Sequence, residues 1–208
     1  MHSLFKNHWF IFSTIYLIFF FWYTNISGPL SEAEIKEAMK RFDSRNIVTP
    51  LKDRKNFLKF IQEDDGGDFY MVNYLDLNES PPIMENTGKD ASANDLLDYY
   101  MEYMFPEMFS RASHPVFFGS TSANAIDHIG SPETKEWDQV GLIRYRSIRD
   151  MLEISGNEVF TERHQYKTGA LIKTIAIPVA SPLIIDLRIV IFMLILMLAL
   201  SVDKLRKK

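Results

Sequence analysis

Two apolar runs stand at the ends of this chain, and almost all of its charge lies between them. The first, "WFIFSTIYLIFFFWY" from Trp9 to Tyr23, holds no charged residue and has Trp and Tyr at its edges. Counted from Leu4 it is long enough as a helix to cover roughly 30 Å. The second, "IVIFMLILMLALSV" from Ile189 to Val202, is short alone. It reaches spanning length only when extended back to Pro182, which takes in Asp186 and Arg188. The pattern leads to an expectation of two transmembrane helices, at 4–24 (a possible signal anchor) and 182–202. Lys6 before the first run and Lys204, Arg206, Lys207 and Lys208 after the second put both termini on the cytoplasmic side. The intervening domain is then extracytoplasmic, periplasmic if the source is bacterial, and 203–208 forms a basic cytoplasmic tail.

The middle of the chain carries its own exclusions. No cysteine occurs, so disulfides, thiolate metal sites and a cysteine nucleophile are excluded. Residues 25–187 keep 17 basic against 26 acidic residues, a balance of −9, which argues against nucleic acid as a partner. Asn25 and Asn78 each begin an Asn-x-Ser triplet, a glycosylation acceptor only in a eukaryotic secretory setting.

Along the middle, a helical extension over 25–67 precedes an α+β domain over 68–180. Ser31 opens a helix with Ile35, Met39 and Phe42 at helical spacing, and Thr49 with Pro50 opens a second. "EDDGGD" turns the chain into a strand, Phe69–Leu77. Asn94 or Asp95 caps the next helix, which Pro106 should kink or end. A strand from His114, bulged near Gly119 to Ser122, and a third from Trp137 to Arg146 follow. A short helix broken by Gly156, a helix capped by Gly169 and a strand closed by Pro178 complete the order. The series β-α-β-β-α-β is the ferredoxin-like arrangement, a four-stranded antiparallel sheet with its helices on one face.

Three segments resemble a known family. "GGDFYMVNYLDL", "EWDQVGLIRYRSIRDMLEI" and "FTERHQYKTGALIKTIAIPV" are similar, in order and spacing, to the uncharacterised dimeric α+β-barrel proteins related to the antibiotic-biosynthesis monooxygenases. The resemblance covers roughly residues 51–179. It implies a ferredoxin-like fold, a face-to-face homodimer and a pocket between sheet and helices. It carries over no cofactor, no metal and no catalytic role.

Chemistry is sparse. Asn73 is a lone amide in an apolar strand and needs partners if buried. His164, beside Arg163 and Tyr166, has the side chain suited to proton transfer near neutral pH. These two are the candidate catalytic residues. Arg144 and Tyr145 point to opposite faces of the third strand and join them as candidate ligand contacts. His114 and His128 read as surface positions, and no histidine pair has metal-ligand spacing. The expected function is a membrane-anchored domain that binds or transforms a small, largely apolar or aromatic molecule, with catalysis left open. The competing reading is a non-catalytic accessory subunit of a larger membrane complex.

Overall fold

The computed structural model describes residues 7–44, 51–127, 129–130, 136–180 and 186–206, and for 51–53 and 206 the backbone alone. The expected cap at Thr49 and Pro50, His128, Lys6, Pro182 and the last two lysines lie outside these residues.

Among the described residues, seven helices and four strands follow in chain order: α1 (His8–Tyr23), α2 (Glu32–Ser44), α3 (Leu51–Gln62), β1 (Phe69–Leu77), α4 (Ala93–Ser110), β2 (His114–Ser120), β3 (Gln139–Tyr145), α5 (Ile148–Gly156), α6 (Glu158–Gly169), β4 (Leu171–Ala180) and α7 (Leu187–Arg206). The sheet order is β2-β3-β1-β4, and every neighbouring pair is antiparallel. This is the ferredoxin-like sheet, with two helices rather than one between β3 and β4. Phe69, Met71, Leu75, Ile143 and Tyr145 point to the helical side, where Leu96, Tyr100, Met104 and Met108 of α4 and Phe160 and Tyr166 of α6 close the core.

No helix among the described residues is long and apolar enough to cross a membrane. The expectation of two transmembrane helices is overturned, and with it the two-span placement, the extracytoplasmic domain and the membrane partners. The physical reason is length. The 16 residues of α1 rise about 24 Å, against a hydrocarbon core of about 30 Å. In α7 the uncharged stretch is confined between Arg188 and Asp203. The two helices instead pack on each other. Trp9 Nε1 donates to Asp203 Oδ2 at 3.0 Å, His8 Nε2 lies 3.0 Å from Asp203 Oδ1, and the rings of Tyr16 and Phe192 meet edge to face at 5.3 Å.

Local details differ from the sequence reading for identifiable reasons. Ser92, not Asn94 or Asp95, caps α4, and Asp95 returns a bond to the Ser92 N–H in a full capping box. Helix α4 runs through Pro106 to Ser110, because the proline lies on the exposed side, where water can serve the carbonyl it frees. The bulge of β2 falls between Pro115 and Phe117, where the proline has no N–H to give, and the strand ends at Ser120. Gly169 stays inside α6, and the capping residue Ala170 is right-handed helical. Strand β4 continues past Pro178 to Ala180, since an edge strand tolerates a missing donor.

Three arginines tie the end of α1 and the segment after it to the domain. Arg144 donates to Tyr23 O, Arg146 to Trp22 O, and Arg149 to Gly28 O and Pro29 O. Asn25 adds a bond to Gly66 O at 2.8 Å. Gly66 has φ +80°, and a Cβ there would lie 2.5 Å from the Gly28 carbonyl carbon, so only glycine fits this approach.

Candidate functional site

The sheet divides the sequence-selected residues between its two faces. Asn73, Tyr145 and His164 belong to the helical side, and Arg144 to the other.

Asn73 is buried at 8% exposure, between Gly141 on β3 and Ala176 on β4. Its Nδ2 donates to Met71 O at 3.1 Å, two residues back on its own strand. The amide thus meets its need for a partner locally.

Tyr145 is buried against Phe69, with ring centroids 5.3 Å apart. Burial pushes its pKa up to about 12. Next to it in the core stands Tyr100 of α4, whose phenol burial likewise holds well above the usual range, with Tyr145 as a smaller cause. His164 of α6 faces the Tyr100 ring edge-on at 6.2 Å and Phe160 at 5.1 Å. The structure therefore sets His164 against Tyr100, a residue that the sequence pattern did not single out. Lys167, one turn after His164, lies with its Nζ 5.9 Å from the Tyr100 ring centre.

Arg144 is 2% exposed on the opposite face. Its Nε donates to Asp68 Oδ2 at 2.9 Å, Nη1 to Ala112 O and Nη2 to Tyr23 O, and its guanidinium lies 3.7 Å from the Tyr23 ring centre. All its nitrogens are engaged by protein groups. Arg188 approaches the other Asp68 oxygen at 3.5 Å. His114, expected at the surface, stacks on Tyr23 at 5.7 Å. Its Nδ1 lies 2.9 Å from Pro115 O, a carbonyl that can only accept, so Nδ1 holds the proton. Nε2 then accepts from the Tyr23 hydroxyl at 2.6 Å. Burial, partly opposed by Arg144, raises the Tyr23 pKa to about 12. The sequence signal for this cluster was the run "RYRSIR", of whose arginines only Arg144 was singled out.

A well-formed cavity lies away from both places. It is a half-open groove of about 500 Å³ between α2, α3 and α5. Leu30, Ala38, Phe42, Phe57 and Leu152 form its floor, and Glu34, Glu37, Arg41 and Arg149 its rim. The rim charges are paired with one another: Arg149 Nε donates to Glu34 at 2.6 Å and Arg41 Nε to Glu37 at 3.1 Å. The Arg149 bond, with further bonds from Ser31, holds the Glu34 carboxyl down at about 2. Asn73, Tyr145 and His164 are absent from its lining. Among the described residues no group of three or more His, Asp or Glu side chains could hold a metal ion.

No family model matches the chain, and no curated protein does. Solved structures do. A protein of unknown function from Rhodopseudomonas palustris, RPA0582, superposes with a TM-score of 0.51 at 19% identity, covering 65% of this chain and 96% of its own. A dimeric protein of unknown function and ferredoxin-like fold from Bacteroides fragilis matches at 9% identity and a TM-score of 0.32, over 55% of this chain and 97% of its own. At 19% identity the likeness to RPA0582 is one of fold alone: the chain is an α+β protein with a four-stranded antiparallel sheet in the ferredoxin-like order.

Proposed function

We propose that this protein binds a small, largely apolar molecule in the groove between α2, α3 and α5. The observation that carries the reading is the groove's combination of size, about 500 Å³, with six apolar side chains and five charged ones in its lining. Ligand sites of this size are usual, and a few polar groups around an apolar floor orient what enters. The reading moves the expected pocket from the sheet–helix layer to the helical extension. The charge pairs on the rim would orient a ligand's polar end, and nothing in the lining calls for catalysis. The test is a fluorescence titration with 8-anilinonaphthalene-1-sulfonate. Ala33 lines the groove from an exposed position, so Ala33→Trp fills the mouth without entering the core. The wild type should bind saturably and the variant at least about tenfold more weakly, a loss of about 1.4 kcal/mol. Equal binding by both would remove the groove from the reading.

The assembly that fits best is a homodimer joined through the outer sheet face. An antiparallel sheet with one solvated face normally alternates apolar inward and polar outward. Here, away from Arg144, His114 and the Asp76–Lys173 pair, outward positions are apolar, with Val72 and Leu142 half-buried and Phe117, Ile175, Ile177 and Val179 exposed. A contiguous patch of this kind marks an interaction surface, and the resemblance of the three segments to the dimeric α+β-barrel proteins supports a second copy as its cover. Light scattering after size-exclusion chromatography should give twice the 24.2 kDa chain mass, and Ile177→Asp should return it to one. A wild-type monomer at high concentration would end this reading.

A further inference from the structure

One cation in the groove between α2, α3 and α5 reaches from wall to wall. Arg41 projects from α2, and its Nη1 lies so near Gly156, at the end of α5, that a Cβ there would stand 2.8 Å from it. The backbone of Gly156 is not left-handed, so the path of the chain does not call for glycine. Glycine is a poor helix residue. Its lack of a side chain is what lets the guanidinium meet the opposite wall.

The other charges of the lining are held by protein groups. Both oxygens of Glu34 accept from Arg149, and one of them also from Ser31. Arg149 gives its remaining bonds to Gly28 O and Pro29 O, and Glu153 accepts from Arg111. Arg41 is bound through Nε, to Glu37 one turn back, with both side chains about half exposed. Such an exposed pair is weak. It leaves the two terminal nitrogens of Arg41, a planar fork of donors spaced for the two oxygens of a carboxylate. Glu34, Glu37 and Glu153 are each matched by one arginine, so a single negative charge enters a balanced site.

We propose that the ligand of this groove is an apolar monocarboxylic acid, its carboxylate on the Nη1–Nη2 edge of Arg41 and its hydrocarbon on the apolar floor. This rests on the groove reading above and adds the chemical class of what enters. Arg41 is then the residue that sets specificity, and Gly156 is the residue that positions it.

The experiment titrates the full chain, by calorimetry, with octanoate, octanamide and octylamine, which share one hydrocarbon and differ in the head. The carboxylate should bind at least about tenfold more tightly than the neutral amide. Arg41→Gln should bring the two to equal affinity, and the half-exposed position of Arg41 spares the fold. Gly156→Ala should cut the preference several-fold. The new Cβ meets the tip of a flexible side chain, which moves aside and takes the donors with it. Equal binding of carboxylate and amide by the wild type, tighter binding of the amine, or a preference that survives Arg41→Gln overturns the proposal. Binding of none of the three removes the groove reading itself and this one with it. Amide binding without a preference for the carboxylate removes this one alone.

Discussion

At the scale of single residues, partners decide roles that residue type only suggests. Arg144 and Asn73 were both candidates for ligand contact. The guanidinium is instead consumed by Asp68, two backbone carbonyls and the Tyr23 ring. Arg144→Met should cost about 3–5 kcal/mol in urea denaturation, because the half-buried Asp68 carboxylate loses its nearer cation and two carbonyls lose their donor. Asn73→Ala should cost only about 1 kcal/mol in the same assay, since its bond is to its own strand. Glu34 offers a pH test. Its carboxyl is lowered from 4.5 to about 2, first by Arg149 and then by Ser31. A depressed carboxylate contributes stability in full above 4.5 and loses it as pH falls through that value towards 2. The denaturation midpoint should therefore drop across that window, and Glu34→Gln should flatten the drop. The effect should be small, because the 39% exposure of the side chain lets solvent screen the pair.

At the scale of elements, the apolar spacing and turn residues of the chain foretold the strands and most of the helices. The strand Phe69–Leu77 has the bounds its pattern suggested, because period-two burial and the acidic Gly-Gly turn before it both act locally. The ends were less legible where two residues compete for one job. Ser92 precedes Asn94 and Asp95, and it caps α4 because Asp95 can return the bond. Ser92→Ala should cost about 1 kcal/mol of stability. Pro106 and Pro178 looked like terminators, yet each sits where its missing N–H is cheap, one on a helix's exposed side and one on an edge strand. A sequence gives no view of which side or edge a residue will occupy.

At the scale of the molecule, the two apolar runs have the most changed meaning. They pair as α1 and α7, tied at one end by Trp9, His8 and Asp203. Asp203→Ala should loosen that end, and hydrogen exchange across the first turns of α1 should quicken while the sheet's exchange stays the same. No such change would mean that the ring contact of Tyr16 and Phe192 suffices to hold the pair. The sequence by itself determined the order of elements, the antiparallel ferredoxin-like sheet and the absence of cysteine chemistry, since periodicity, turn residues and composition act over a few neighbours at a time. The tertiary structure alone decided that Arg144 is spent on Asp68, that Tyr23 reaches His114, and that a groove opens among α2, α3 and α5. Those facts depend on which distant segments come within a few ångströms of each other, and short-range pattern holds no record of that distance.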